Sequence, residues 1–314
     1  MTTEDAKLNA WWVDTDPGVD DAWALLMLLH NADLRVVGIS VVGGNVGLAH
    51  TLLNSCRIID RSPYPVPIHI GAALPLIGGL PDAGFVHGVD GFGEADLPPA
   101  QSQPASLPAA LAFIEASHRY AGALNVLALG PLTNLALACA LDPTLPSRCR
   151  RLVVMGGAVG GVGNTRVPSA EFNFAFDPEA AAIVLARWPS IELVDWALTL
   201  AAAPPSSAVD AWLAGPSDNA VWLHSITRRT AEHVHGHGYE RWPWADPLAA
   251  LIVAQPSAVL EWSHAAIEIA LAPGPTRGQS VVDWHGLGGF SGPSVAIATR
   301  VDVALFHAAL QAVL

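Results

Sequence analysis

Positive charge is scarce in this sequence, and its single lysine is Lys7. The 15 lysine and arginine residues are outnumbered by 28 acidic residues, so the formal net charge is −13. A chain this acidic is poorly suited to binding nucleic acid or an anionic membrane surface. We therefore expect neither a nucleic-acid partner nor a membrane partner.

Cysteines and long apolar runs are also scarce. Cys56, Cys139 and Cys149 lack the spacing of metal-binding pairs and are too few for a disulfide framework, so a cytoplasmic location is expected. No uncharged apolar run reaches the roughly 20 residues of a membrane helix, and residues 1–9 show no secretory signal pattern. With 52% hydrophobic residues, the chain can bury one large core. We expect a single domain over residues 1–314.

Apolar segments of strand length alternate with helical patterns along most of the chain. Strands are predicted at 34–42, 66–70, 125–129, 152–155, 191–194, 265–270 and 294–299, and helices at 49–60, 111–120, 133–141, 177–187, 245–254 and 302–314. This alternation is typical of an α/β fold with an open, mostly parallel, Rossmann-like sheet flanked by helices. Residues 204–244 are rich in Trp and His and are interpreted as a helical cap.

Four carboxylates fall within the eight residues 14–21, which read Asp-Thr-Asp-Pro-Gly-Val-Asp-Asp. An apolar run precedes this segment and another follows it, which predicts a strand, a tight turn and a helix. Asp14 and Asp16 would then share one face of the strand, and Asp20 and Asp21 would begin the helix. Helix capping alone does not explain Asp14 and Asp16. Four like charges this close repel unless a cation binds them, and oxygen ligands favour Ca²⁺ or Mg²⁺ over zinc.

Further short motifs follow in a fixed order. They are Gly43-Gly44-Asn45, His87-Gly88-Val89-Asp90-Gly91, Gly130-Pro131-Leu132-Thr133-Asn134, Met155-Gly156-Gly157, Glu171-Phe172-Asn173, Asp177-Pro178-Glu179-Ala180 and Asp246-Pro247. Together with residues 14–21, this set resembles the nucleoside hydrolases, both the inosine–uridine-preferring family and its purine-specific relatives. The resemblance implies the nucleoside hydrolase fold and Ca²⁺-dependent hydrolysis of ribonucleosides to free base and ribose. It also implies a nucleoside as partner and a homodimer or homotetramer.

In open α/β sheets, ligands bind beyond the carboxyl ends of the strands. Six residues of these motifs are expected at such ends, and so at one site: Asp16, Asn45, His87, Leu129, Met155 and Asp246.

The resemblance also implies a role for each site residue. Asp16 would contact the metal and remove a proton from the metal-bound water, which Asn45 would help to position. Asp21, Asp246 and the backbone carbonyl of Leu129 would complete the metal site. Capping of the helix that begins near Pro247 is a second, compatible role for Asp246. The residues implied in ribose binding are Asp20, Asn45, Met155, Asn164, Glu171, Asn173 and Asp246.

The sequence departs from the family at the leaving base. Many members carry a His directly before the late Asp-Pro, where it is thought to protonate the base, whereas this chain has Ala245. The candidates for base binding and leaving-group contact are His87, Phe172, His237, Tyr239, Trp242 and Trp244. In an extended chain, His233, His235 and His237 would share one face, which would also suit a transition metal. The missing His and the Trp-rich cap favour a purine-type base.

The sequence leaves two other functions open and argues against a third. The first is a hydrolase of pyrimidine or modified nucleosides. A non-catalytic nucleoside sensor would explain the loss of the leaving-group acid at Ala245, although it would not require Asp16. A phosphatase with paired aspartates would require a lysine after the motif, and Lys7 precedes it.

Overall fold

The computed structural model of the chain describes residues 9–78 and 82–314. The expectation about a secretory signal concerns residues 1–9, of which 1–8 lie outside the described residues. Residues 79–81 of the long Pro- and Gly-rich segment at 71–108 lie outside them too.

The described residues form a sheet of nine strands in the order β3-β2-β1-β4-β5-β6-β9-β7-β8. The strands are β1 (Ala10–Thr15), β2 (Arg35–Val41), β3 (Ile68–Ile70), β4 (Leu124–Ala128), β5 (Cys149–Met155), β6 (Ile191–Val194), β7 (Val259–Ile269), β8 (Ser280–Asp283) and β9 (Ser294–Val301). All neighbours from β3 to β9 pair in parallel, while β7 is antiparallel to both β9 and β8. The predicted open, mostly parallel α/β sheet is confirmed.

Helices flank this sheet. They are α1 (Val19–Leu29), α2 (Leu48–Ile59), α3 (Gly84–His87), α4 (Ala109–Arg119), α5 (Thr133–Leu141), α6 (Leu145–Arg148), α7 (Phe172–Phe176), α8 (Pro178–Arg187), α9 (Trp196–Ala202), α10 (Ser206–Leu213), α11 (Asp218–Ile226), α12 (Arg228–Gly236), α13 (Ala245–Ala254) and α14 (Val303–Ala312). Buried apolar side chains form two large clusters. None of the helices within 9–78 and 82–314 is both long enough and apolar enough to cross a bilayer.

Helices α1 and α13 pack against each other although they are far apart in sequence. Nearly every residue of both helices is buried, and the rings of Trp23 and Trp244 lie 4.6 Å apart at their contact. Asp20 and Asp21 lie in the first turn of α1, and Asp246 lies in the first turn of α13. The packing of two apolar helices therefore brings three carboxylates to one place.

Two of the residues expected at strand ends lie elsewhere. His87 ends the short helix α3 in the loop after β3, and Asp246 belongs to α13. Both still reach the edge of the sheet where β1 and β4 end, because the loop and the helix fold over it.

The antiparallel edge of the sheet was only partly predicted. Strand β7 begins at Val259, six residues before the predicted start at 265, and β8 was not predicted. Polar residues such as Glu261 and His264 interrupt the apolar pattern of β7, because much of this edge strand is accessible to solvent. Edge strands of this kind lack the continuous apolar run of a doubly buried parallel strand.

The cap predicted at 204–244 contains helices α10, α11 and α12. The extended conformation considered for His233, His235 and His237 is wrong, because α12 continues to Gly236. In a helix, residues four apart share a face and residues two apart do not. His233 and His237 therefore lie together, whereas His235 points toward Asp210.

Candidate active site

Asp16 lies where the strand order reverses, directly after β1 and beside the end of β4. Two glycines enclose its carboxylate: a Cβ on Gly44 would lie 2.1 Å from Oδ2, and a Cβ on Gly130 would lie 2.5 Å from Oδ1. The backbone N–H of Asn45 donates to Oδ2 at 2.7 Å. These contacts explain the glycines in the motifs at 43–45 and 130–134, because any larger residue would displace Asp16.

Asp20, Asp21 and Asp246 form a compact group in which one carboxylate oxygen of each lies within 4.8 Å of the others. Asp21 is anchored by the Thr15 hydroxyl, which donates at 2.5 Å, and by the backbone N–H of Gly18 at 3.0 Å. The sequence assigned Asp20 to ribose alone, but the structure groups it with two of the predicted metal ligands. Asp16 lies outside this group of three.

Burial and mutual repulsion shift the protonation of these carboxylates. Burial raises the pKa of Asp20 to about 6 and, together with repulsion from Asp20, raises the pKa of Asp21 to about 6. Burial and repulsion by Asp21 raise the pKa values of Asp16 and Asp246 well above their usual range. The Oδ1 atoms of Asp16 and Asp20 are buried without a hydrogen-bond partner. Oxygens without partners in a group of repelling carboxylates fit a hard divalent cation.

Asp14 supports this site from within the sheet. Its Oδ1 accepts hydrogen bonds from the Ser40 hydroxyl and from the Asn134 side chain, and the Asn134 carbonyl oxygen accepts the N–H of Ala72 at 2.8 Å. Burial raises the pKa of Asp14 to about 7. Asn134 thus links β1 to the loop after β3, which gives the motif at 130–134 a structural role.

Asn173 bridges the ends of β4 and β5. Its side-chain amide donates to the Leu129 carbonyl at 2.6 Å and to the Met155 carbonyl at 3.3 Å. The carbonyl predicted as a metal ligand and the Met predicted to contact the sugar are therefore neighbours at the base of the site.

Glu171 closes the loop that leads from β5 into α7. Its carboxylate caps α7, accepting the N–H groups of Asn173 and Phe174, and also accepts the N–H of Gly157 at 2.9 Å. Burial raises the pKa of Glu171 to about 7. Asn164 is exposed, and its Oδ1 accepts the N–H of Phe172 at 2.8 Å.

His87 is buried against the start of α1. Its Nδ1 accepts the backbone N–H of Val19 at 3.3 Å, and a Cβ on Gly18 would lie 2.6 Å from the same nitrogen. Burial lowers the pKa of His87 to about 4, so the ring is neutral at pH 7. Because Nδ1 accepts, the proton resides on Nε2, and the ring offers an N–H donor to the cavity it lines.

A cavity of about 900 Å³ opens above these groups. The predicted site residues that line it are Asp20, Asn45, His87, Leu129, Met155, Asn164, Glu171, Phe172, Asn173, His237, Tyr239, Trp242, Trp244 and Asp246. Asp16 and Asp21 lie below its floor. Its size is within the usual range for small-molecule sites.

Aromatic rings and imidazoles surround the mouth of this cavity. The rings of His233 and His237 lie 4.3 Å apart, and Tyr239 stacks on His237 at 5.6 Å. Phe85, which is 73% exposed, meets the His233 ring edge-on at 5.8 Å. Phe85 was not predicted from the sequence, because it lies two residues before His87 and outside the motif that begins there.

The two tryptophans before Asp246 are both buried and stack on each other at 5.2 Å. Trp244 also packs against Trp23. Both tryptophans line the cavity. Ala245 also lines the cavity, so the position of the usual His does face the site.

Comparison with known proteins agrees with this geometry. The family model of the inosine–uridine preferring nucleoside hydrolases matches residues 11–308. Probable uridine nucleosidase 2 of Oryza sativa subsp. japonica is 36% identical over 248 residues, which cover 78% of this chain and 73% of that protein. Uridine nucleosidase 1 of Arabidopsis thaliana is 40% identical over 184 residues, 58% of this chain but only 54% of that relative.

A solved plant nucleoside hydrolase has the same fold, with a TM-score of 0.90, 26% identity and 98% of each chain covered. The predicted fold and the predicted class, nucleoside N-ribohydrolase, are confirmed. The chain belongs to the inosine–uridine preferring nucleoside hydrolase family.

Proposed function

We propose that this chain hydrolyses the N-glycosidic bond of ribonucleosides with the aid of Ca²⁺ and releases free base and ribose. The observation that carries this proposal is the group of buried carboxylates with unpartnered oxygens beneath a cavity of about 900 Å³. A purely structural cluster of this kind would destabilise the fold, because each buried carboxylate loses its hydration.

The donor set favours Ca²⁺. From the resemblance to the family, Asp16, Asp21, Asp246 and the Leu129 carbonyl would hold the ion. Asp20 lies close enough to Asp21 and Asp246 to contribute as well. All these donors are oxygens, and several carboxylates together suit calcium, which takes six to eight oxygen ligands. The bound ion would orient a water molecule and lower its pKa.

Asp16 is the proposed general base. Its Oδ2 is held by the N–H of Asn45, while its Oδ1 has no partner and is free to accept the proton of the attacking water. The side chain of Asn45 donates to Asp21 at 3.1 Å, which fixes the distance between the base and the second carboxylate. Asn45 would thereby position the water as well as the ribose.

Ribose would lie on the floor of the cavity. Asp20 and Asn173 would hold the 2′- and 3′-hydroxyls, with Met155 packed on the sugar. Asn164 and Glu171 would reach the 5′-hydroxyl from the loop beyond β5. The hydrogen bonds of Glu171 to three backbone N–H groups hold its carboxylate in place for this contact.

The leaving base would lie between His87 and the rings at the cavity mouth. Neutral His87 offers its Nε2–H to a base nitrogen or carbonyl, and Tyr239, whose ring stacks on His237, would supply the proton that Ala245 cannot. Trp242, Phe172 and Phe85 would provide apolar contact. This aromatic surface favours a purine-type base, whereas the two plant relatives named uridine nucleosidases favour uracil as the alternative.

A nucleoside sensor is the second candidate, because Ala245 removes the usual leaving-group acid from the cavity. Release of reducing sugar from purine, pyrimidine and modified ribonucleosides, with Ca²⁺ and with a chelator, separates the two. Turnover that the chelator abolishes is the expected result. Binding of a nucleoside without turnover on any substrate would contradict the hydrolase and support the sensor.

A homodimer or homotetramer is proposed for the assembly.

A further inference from the structure

The C-terminal end of α12 presents two histidines to the mouth of the cavity, His233 in its last turn and His237 directly after it. His233 and His237 are four residues apart, and their ring centroids lie 4.3 Å from each other. The next histidine, His235, lies on another face of the helix, with Nε2 3.2 Å from a carboxylate oxygen of Asp210. The rings of His233 and His237 therefore lie together, whereas His235 lies apart from them.

The nitrogen atoms of this pair are available to a ligand. Nδ1 of His237 donates to the backbone carbonyl of His233 at 2.8 Å, so its Nε2 is unprotonated in the neutral ring. Among the described residues, none hydrogen-bonds to the His233 ring, which contacts only other rings. Burial and the neighbouring His237 lower the pKa of His233, so its ring also favours the neutral form.

We propose that His233 and His237 form a second metal site, which binds a borderline divalent ion such as Zn²⁺ or Ni²⁺ through two imidazole nitrogens. Two histidines at this helical spacing are a known zinc-binding arrangement, and imidazole suits zinc and nickel whereas carboxylate oxygens suit calcium. The bond from His237 Nδ1 to a carbonyl is the type of support that orients a metal-binding histidine. The chain thus has an oxygen-ligand site at the floor of the cavity and a nitrogen-ligand site at its mouth.

An ion bound by His233 and His237 would affect access to the cavity. His233, His237 and Tyr239 all line the cavity, so an ion with its remaining water ligands would occupy part of the entrance. Nucleoside binding and ion binding at the pair would then compete. This consequence rests on the proposed hydrolase function, whereas the metal site itself does not.

Binding is tested first on the full chain saturated with Ca²⁺, so that the carboxylate site is filled. Calorimetric titration with Zn²⁺, and separately with Ni²⁺, should show one ion bound per chain. Loss of an outer-shell partner typically weakens metal binding about 10- to 100-fold, so His233→Gln and His237→Gln, which remove direct ligands, should weaken it at least that much. His235→Gln is the matched control and should bind like the wild type. Equal binding by all four proteins, or no binding by the wild type, would overturn the site.

Competition is tested by adding the same ions to the sugar-release assay. Zn²⁺ should raise the apparent KM of the wild type and of His235→Gln, with kcat unchanged, and should have little effect on the two ligand variants. Inhibition that is equal in all four proteins would overturn the role at the entrance. If the chain hydrolyses no nucleoside, the calorimetric result still decides whether the site exists.

Discussion

The carboxylate of Asp16 depends on the absence of side chains at its glycine neighbours. Gly130→Ala would place a methyl group 2.5 Å from Oδ1 of Asp16, so the carboxylate must move. We expect a loss of about 1–3 kcal/mol in the free energy of unfolding, typical of overpacking, and a marked loss of kcat. Gly47→Ala is the control, because its added methyl group meets nothing within 4 Å. The sugar-release assay measures kcat of the two variants, and urea unfolding measures their stability. Similar kcat values in both variants would contradict this account of Asp16.

Asp16 itself should be required for turnover but not for nucleoside binding. Asp16→Asn keeps the size of the side chain and can still accept the N–H of Asn45, yet it is too weak a base to remove the proton of water. Loss of a general base typically lowers the rate about 10²- to 10⁴-fold. We expect a fall of kcat in this range with nucleoside binding retained by calorimetry, whereas exposed Asp33→Asn should behave like the wild type. Undiminished turnover would assign the base role to another carboxylate.

The cap helix α12 is attached to the loop that carries His87. Arg229 of α12 binds the Glu94 carboxylate, Arg228 donates to the Gly93 carbonyl at 3.0 Å, and the Thr230 hydroxyl donates to the Val86 carbonyl at 3.1 Å. Glu94 has a positive φ of 51°, and its carboxylate also accepts the N–H of Val89 at 2.9 Å. These contacts hold the mouth of the cavity over its floor.

Breaking the ion pair between α12 and this loop should therefore weaken substrate binding more than chemistry. Glu94→Gln removes the charge that holds Arg229 while keeping the size of the side chain. Because both partners are partly exposed, we expect only about a two- to fivefold rise in KM, in line with surface ion pairs, and little change in kcat. Glu232→Gln is the control, since Glu232 also binds Arg229 but within α12 itself. An equal effect of both variants on KM would argue against a link between helix and loop.

The elements that the sequence predicted well have their own local signals. Helix 133–141, strand 191–194 and helix 245–254 were predicted with both ends as observed, because each is mostly apolar and has clear boundaries. Strand β8 was missed because four residues gain their structure from pairing with β7 rather than from their own pattern. The extended conformation considered for His233, His235 and His237 was wrong. Alternating histidines resemble a strand, whereas α12 packs against α3 and continues to Gly236.

The sequence predicted the residues that meet at the cavity floor better than the rings around its mouth. Most floor residues lie in short motifs that follow strands, and the carboxyl ends of parallel strands meet at one edge of the sheet. The surroundings of Phe85 and Trp244 depend instead on how the cap lies over the sheet, which no local pattern records. The division into a single domain stays a prediction, as do the roles assigned to individual residues.

The buried carboxylates beneath the cavity make the stability of the whole fold depend on both pH and the cation. Without an ion, the pKa values of Asp20 and Asp21 are about 6 in the folded chain against 3.8 for an unperturbed aspartate. The folded chain thus binds more protons than the unfolded chain in this interval, and these groups lower stability as pH rises from about 4 to about 7. A bound cation keeps them ionised and cancels that loss.

The stabilisation by Ca²⁺ should therefore increase with pH over the same interval. A ligand at 100 times its Kd stabilises a fold by about 2.7 kcal/mol, and protonation of the carboxylates at low pH weakens binding and reduces this gain. Urea unfolding at several pH values, with excess Ca²⁺ and with a chelator, gives the free energy of unfolding in both conditions. The contributions of other titrating groups cancel in the difference between the two values. Asp21→Asn should flatten the difference, because it removes both a ligand and the repulsion that raises the other pKa values. Stabilisation by Ca²⁺ that is the same at pH 4 and pH 7 would mean that the ion binds away from these carboxylates.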